Sequence, residues 1–233
     1  MRLHYIQHNP FEDLANIALW AEDSGHHVSG TKIYAGEMLS GKADFDLLVV
    51  LGGEMNIYQE DRYPWLAEEK RFIRGAMDGG KTVLGICLGA QLVSDLLGGR
   101  VHKNRYREIG WHKTRLTSAA SYSKAFRGFP DSFMAFQWHE DAFDLPAGAK
   151  GLASTAACAN QAFELGRNVG LQFHLEVSRQ SISRLIENFG DELPPERFVQ
   201  EREEMLSAED HLKELYRHLK IFMKNIELMV DQD

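Results

Sequence analysis

The chain has only two cysteines, no apolar run near the ~20 residues that span a membrane, and a deficit of positive charge. Cys87 and Cys158 cannot make a disulfide framework, and neither sits in a Cys-x-x-Cys pair that would mark a metal or redox site. A reducing compartment fits this usage. The 26 Lys and Arg are outnumbered by 34 Asp and Glu, giving a formal net charge of -8. Nucleic acid is therefore not expected as a partner, because phosphate affinity comes largely from cationic side chains. Without a long apolar run, no membrane association is expected either. Residues 1–10 lack the basic start, apolar stretch and small-residue cleavage site of a secretory signal, so the expected location is cytoplasmic. There is no internal repeat and no low-complexity segment.

Hydrophobic residues make up 44% and charged residues 26% of the 233, so one substantial core, or a domain with an appendage, is expected. Over residues 1–190, short β-rich runs alternate with amphipathic stretches, the pattern of an α/β domain with a mainly parallel sheet. Strands are predicted at residues 2–8, 27–33, 45–51 and 81–86, with helices at 11–24, 64–78 and 88–97. The run FDLLVVL at 45–51, apolar but for Asp46, suits a central strand covered on both faces. From 101 to 170 the predicted strands shorten (108–117, 132–138, 150–155) and suggest antiparallel decoration. A last core strand at 169–173 leads into a helix over 179–189.

Residues 191–233 differ in kind. They carry 12 Asp and Glu against 6 Lys and Arg, and so hold -6 of the -8 total. Leu212, Leu215, Leu219, Phe222, Ile226 and Met229 recur at steps of three and four, which marks one apolar helix face. That face is expected to dock on the chain's own body or on a partner, a second copy of the chain included.

The chemistry concentrates at Gly85-Ile86-Cys87-Leu88-Gly89, where a buried strand breaks into a helix at the cysteine. The spacing is the thiol version of the Gly-x-Ser-x-Gly turn, whose glycines let the chain bend sharply and lift the nucleophile off the sheet. A thiol at a helix N-terminus also meets unpaired N–H groups and the positive end of the helix dipole. Cys158, within Ala156-Ala157-Cys158-Ala159, reads as an ordinary buried cysteine. A thiol nucleophile needs a proton carrier and a group to orient it, and Gln172-Phe173-His174-Leu175-Glu176 supplies both. Gly52 and Gly53 end a central strand, where bare backbone can approach a substrate, and the Leu88 N–H adjoins the nucleophile. Together they are the natural oxyanion donors.

These three motifs, in this order and spacing, resemble the class I (triad-type) glutamine amidotransferases over about residues 1–190. Phe136-Gln137-Trp138-His139-Glu140-Asp141 and Glu108-Ile109-Gly110-Trp111 are similar to segments of the subgroup related to the glutaminase part of GMP synthase. The resemblance implies a flavodoxin-like fold with a small antiparallel sheet over residues 1–190, to which the periodic apolar face at 191–233 adds a C-terminal helical extension. It implies a Cys87, His174, Glu176 triad, oxyanion donors at Gly53 and Leu88, and glutamine contacts from Gln91 and the backbone around Trp138 and His139. No cofactor is implied. The reaction would pass through a glutamyl thioester to glutamate and ammonia. Ala90 stands where His is frequent and Leu175 where Pro is frequent, and both leave the branch of the family open.

A γ-glutamyl peptidase would use the same triad on an isopeptide bond, and a noncatalytic regulatory module would keep the fold alone. Residues 75–82 match the phosphate-loop pattern letter for letter, but the predicted order is helix then strand, the reverse of what that loop needs. After residue 190 only 43 residues remain, too few for a nucleotide-activating domain, so any ammonia acceptor is expected elsewhere: either a separate synthetase subunit takes the ammonia, or the protein simply degrades a γ-glutamyl compound. The tail or the loop at residues 54–63 could touch such a subunit.

Overall fold

In chain order the elements of the computed structural model are β1 (Arg2–Gln7), α1 (Asn16–Asp23), β2 (His27–Lys32), β3 (Leu47–Val50), α2 (Trp65–Asp78), β4 (Thr82–Ile86), α3 (Leu88–Leu96), β5 (Val101–Leu116), β6 (Ser132–Phe143), β7 (Lys150–Ser154), β8 (Ala162–Leu165), β9 (Asn168–Leu171), α4 (Arg179–Phe189), α5 (Arg202–Ser207) and α6 (Glu209–Val230). The structure describes residues 1–39, 44–190 and 193–231. Strands β2, β1, β3, β4 and β9 lie side by side and parallel. The sheet then continues antiparallel through β8, β7, β5 and β6, so the nine strands among the described residues form one hydrogen-bonded sheet.

Period-two alternation explains how the middle strands serve two cores. Leu47 and Val49 of β3 face one side, with Ile17 and Trp20 of α1, Leu185 and Ile186 of α4, and Phe222 and Ile226 of α6. Leu48 and Val50 face the other, with Leu66 and Ile73 of α2 and Leu92 and Val93 of α3. Both clusters are sealed from solvent. This double cover is why β3 and β4 are buried at every position.

Several predicted bounds shift for local reasons. The helix expected from residue 11 starts at Asn16, because Asn9 and Asp13 hold the preceding turns. The Asn9 Oδ1 accepts from the N–H groups of Phe11 and Glu12, and the Asp13 Oδ1 accepts from that of Ala15, whose φ is 40°. β5 and β6 outrun their predicted lengths because they pair with each other over most of their span. β8 and α5 were not anticipated. Residues 75–82 form the end of α2, a turn with Gly80 at φ 72°, and the first residue of β4. Lys81 lies over the ring of Phe45, 6.0 Å from its centroid.

The apolar face of α6 is buried through Leu215, Leu219, Phe222, Ile226 and Met229, with Leu212 partly buried. Asn225 donates to the carbonyls of Ala125 and Arg127, fixing the helix lengthwise. Upstream, the Ile109 N–H donates to Phe198 O (2.9 Å), the Gln200 N–H to Ile109 O (3.1 Å) and the Trp111 Nε1–H to Met205 O (3.0 Å). Asp191 and Glu192, the start of the predicted tail, lie outside the described residues. Among the described residues, no helix is long and apolar enough to cross a membrane.

Candidate active site

β4 and α3 meet at Cys87, whose φ of 52° and ψ of -108° lie in a region that non-glycine residues rarely adopt. Neighbouring backbone enforces this strain. The Cys87 N–H donates to Leu171 O (2.7 Å), and its own carbonyl accepts from the Gln91 N–H (3.1 Å). A Cβ on Gly85 would collide with the Gly89 carbonyl, and one on Gly89 would collide with the Val50 carbonyl. The two glycines therefore let α3 press against β3 and β4, which tilts the sulfur toward the carboxyl ends of the strands. There the Gln172 Nε2–H points at the Cys87 Sγ (3.7 Å), and the S–H points at Trp138 O (3.7 Å).

His174 follows the end of β9 and is held by its own backbone, its N–H donating to Phe136 O (2.9 Å). Its Nδ1 lies 2.6 Å from the Glu176 Oε1, which fixes the tautomer or the imidazolium. Glu176 is steadied in turn by the start of α1, where the Asn16 N–H donates to Glu176 O (2.9 Å). The Nε2 is buried with no partner of ordinary hydrogen-bond geometry among the described residues, yet it faces Cys87. Burial opposes charge on this imidazole, but Glu176 and Cys87 outweigh it and hold His174 well above the usual histidine range.

A cleft of about 390 Å³ opens over Cys87. Gly53, Gln91, Trp138 and His139 line it; Gly52 does not. The N–H groups of Gly53 and Leu88 have no acceptor among the described residues. The Gln91 Nε2 lies 3.4 Å from the Gln172 Oε1 and 3.5 Å from Asp141 O. The His139 ring turns into the protein, with Nδ1–H donating to Asp141 O (3.0 Å) and Nε2 lying 3.3 Å from the Glu108 Oε2. Among the described residues, no three His, Cys, Asp or Glu side chains converge as a metal set would.

A family model for glutamine amidotransferase class-I matches residues 17–193. The chain belongs to the class I glutamine amidotransferases. It is 34% identical over 213 residues to the glutamine amidotransferase-like protein YfeJ of Salmonella typhimurium, covering 88% of this chain and 89% of that one. The GMP synthase (glutamine-hydrolyzing) of Caldicellulosiruptor saccharolyticus is 34% identical over 146 residues, 61% of this chain and 27% of the synthase. The chain thus spans about a quarter of that relative's length. A crystal structure of a glutamine amidotransferase from Thermotoga maritima superposes with a TM-score of 0.89 at 34% identity, covering 100% of this chain and 99% of the other. Class I glutamine amidotransferases are enzymes with a cysteine nucleophile.

Within this amidotransferase fold, four further polar side chains make contacts that the sequence did not reveal. Glu12 lines the cleft beside Gly52 and His174, and burial raises its pKa despite the opposing pull of His174. Glu108 anchors a buried network through the Thr155 Oγ1–H (2.9 Å) and the Gln161 Nε2–H (2.6 Å), under the strand that carries Trp138 and His139. His8 and Glu69 form a sealed pair behind the Gly52–Gly53 loop. No sequence spacing signals any of these contacts: Glu69 is 61 positions from His8 and Gln161 is 53 from Glu108. Cys158 is buried, and desolvation pushes its thiol up to about 11, as expected for an inert cysteine.

Proposed function

We propose that the protein hydrolyses the side-chain amide of glutamine through a cysteinyl thioester. The observation that carries this reading is the buried His174, locked by Glu176 at 2.6 Å and left with one unpartnered nitrogen beside a strained cysteine. An imidazolium there is the partner a thiolate nucleophile needs. The Cys87 Sγ attacks the carboxamide carbon, and the oxyanion that develops accepts from the N–H groups of Gly53 and Leu88. The His174 Nε2–H protonates the departing ammonia. His174 then takes a proton from water, which cleaves the thioester and releases glutamate. Gln91 and the backbone of Trp138 and His139 hold the amino-acid end of the substrate. A separate synthetase subunit is the acceptor this chemistry calls for.

The cleft favours a second reading. Its volume falls within the roughly 300–1,000 Å³ of sites that take ligands larger than one amino acid, and Leu185, Phe189 and Leu193 give it an apolar wall beyond Cys87. A γ-glutamyl amide with a larger leaving group would use both. Glutamate release from glutamine and from a panel of γ-glutamyl amides and peptides, with Cys87→Ala as the blank, separates the two. Turnover of glutamine supports the first reading, and turnover confined to larger amides supports the second. Release of no glutamate from any of them, with or without a synthetase, contradicts both.

A further inference from the structure

The oxyanion role proposed for Gly53 depends on the orientation of one peptide group. In a trans peptide the carbonyl of residue 52 and the N–H of residue 53 point in opposite directions, so whatever holds one aims the other. The Gly52 carbonyl is held by a side chain: the His8 Nδ1–H donates to it at 2.9 Å. A carbonyl can only accept, so Nδ1 carries a proton. The other ring nitrogen, Nε2, lies 2.7 Å from the Glu69 Oε1. Both side chains are fully buried. One proton must lie between Nε2 and the carboxyl group, and wherever it rests the pair is neutral overall.

The surroundings are built to fix this imidazole. Trp65 stacks on it at 5.7 Å with a 26° tilt, and Trp65 and Glu69 are one helical turn apart on α2. The start of α2 therefore grips the ring by its face and by its edge. His8 itself follows β1, next to β3, where the strand order reverses direction and α/β folds open a crevice. A buried ionisable pair adds little stability over apolar packing, so its presence here points to a task in the loop it touches.

The geometry points to His8 and Glu69 as positioning residues that hold the Gly52–Gly53 peptide with the Gly53 N–H turned toward the oxyanion. Neither residue touches the substrate. This rests on the hydrolytic reading above for its consequence in rate, but not for its consequence in structure.

The test uses the full chain carrying His8→Phe, which keeps a ring for Trp65 and removes the donor. A crystal structure of this variant is expected to show the Gly52 carbonyl turned from its present direction. The kcat on whichever γ-glutamyl substrate the wild type turns over is expected to fall about 10- to 100-fold, part of the loss seen when an oxyanion donor is deleted, with KM within about twofold. Alkylation of Cys87 by iodoacetamide, which forms no oxyanion, is expected to keep its wild-type rate within about twofold. An unturned peptide, an unchanged kcat, or equal losses of kcat and alkylation overturn the proposal. If His8→Phe does not fold, Glu69 carries the test. Glu69→Gln can donate its amide to Nε2 and leave the proton on Nδ1, so it is expected to keep the carbonyl in place, whereas Glu69→Met is expected to release it. The same carbonyl position in both Glu69 variants overturns the proposal. A wild type that hydrolyses nothing while the peptide turns in His8→Phe counts against the hydrolase reading and leaves the positioning role standing.

Discussion

His174 is where the residue-scale predictions are sharpest. Its imidazolium survives to higher pH than that of an ordinary histidine and is lost as pH rises through a value lifted above the ordinary ~6.5. The kcat/KM is therefore expected to fall on the alkaline side as that proton leaves, with Glu176 and Cys87 setting the position of the limb and the Glu12 carboxyl nearby. Glu176→Gln removes the largest charge favouring the imidazolium, so the limb moves to lower pH and kcat falls between about 10²- and 10⁴-fold. The pH profiles of wild type and Glu176→Gln check both expectations. The same lifted value stabilises the fold: the contribution is fully present below ~6.5 and is lost as pH rises through the folded-state value. These residues were legible in the sequence because the cysteine turn and the histidine–acid pair are each local, within five positions. Glu12 was not, because its partner His174 lies in a distant part of the chain and only folding brings them together.

Among the elements, the junction of β4 with α3 carries the most constraint. Gly89→Ala adds a methyl group where the Val50 carbonyl stands, so α3 must back away from β3. A loss of roughly 1–3 kcal/mol in unfolding free energy is expected, read from urea midpoints, together with a drop in Cys87 reactivity toward iodoacetamide. An alanine variant with wild-type stability and reactivity would show that the helix has slack there. The helix and strand order up to α3 was readable from apolar periodicity and glycine stops, because those elements are set by local pattern and by burial on both faces. The antiparallel half was harder. β8 is four residues long, and its place is decided by its neighbours β7 and β9 rather than by its own composition. The delayed start of α1 depends on the Asn9 and Asp13 side chains capturing backbone N–H groups, which competes with the helical pattern.

Over the whole molecule, the acidic C-terminal segment behaves as part of one core. Phe222 is fully buried among Phe126 and Phe129, on the same face of the sheet as α1 and α4. Phe222→Ala is therefore expected to cost about 3–5 kcal/mol of global stability, measured by denaturant unfolding, and not merely to fray α6. A local loss of helix with an unchanged main transition would show that α6 is dispensable to the core. The apolar stripe of α6 was visible in the sequence, whereas the surface it meets was not, since a periodic face specifies that it must be covered and not by what. The hydrogen bonds from Ile109 and Trp111 to residues 198–205 were likewise beyond reach, because backbone pairing outside regular strands leaves no periodic signature.

The central claim is that Cys87 forms a covalent γ-glutamyl thioester, and the most direct test is to look for that bond. Enzyme mixed with glutamine or a γ-glutamyl amide is quenched in acid within the first turnover, digested, and its Cys87 peptide weighed. A γ-glutamyl adduct on that peptide, absent from Cys158, from Cys87→Ala and from unmixed enzyme, is the predicted result. Glutamate released at a steady rate with Cys87 unmodified at every quench time, and undiminished in Cys87→Ala, would contradict it.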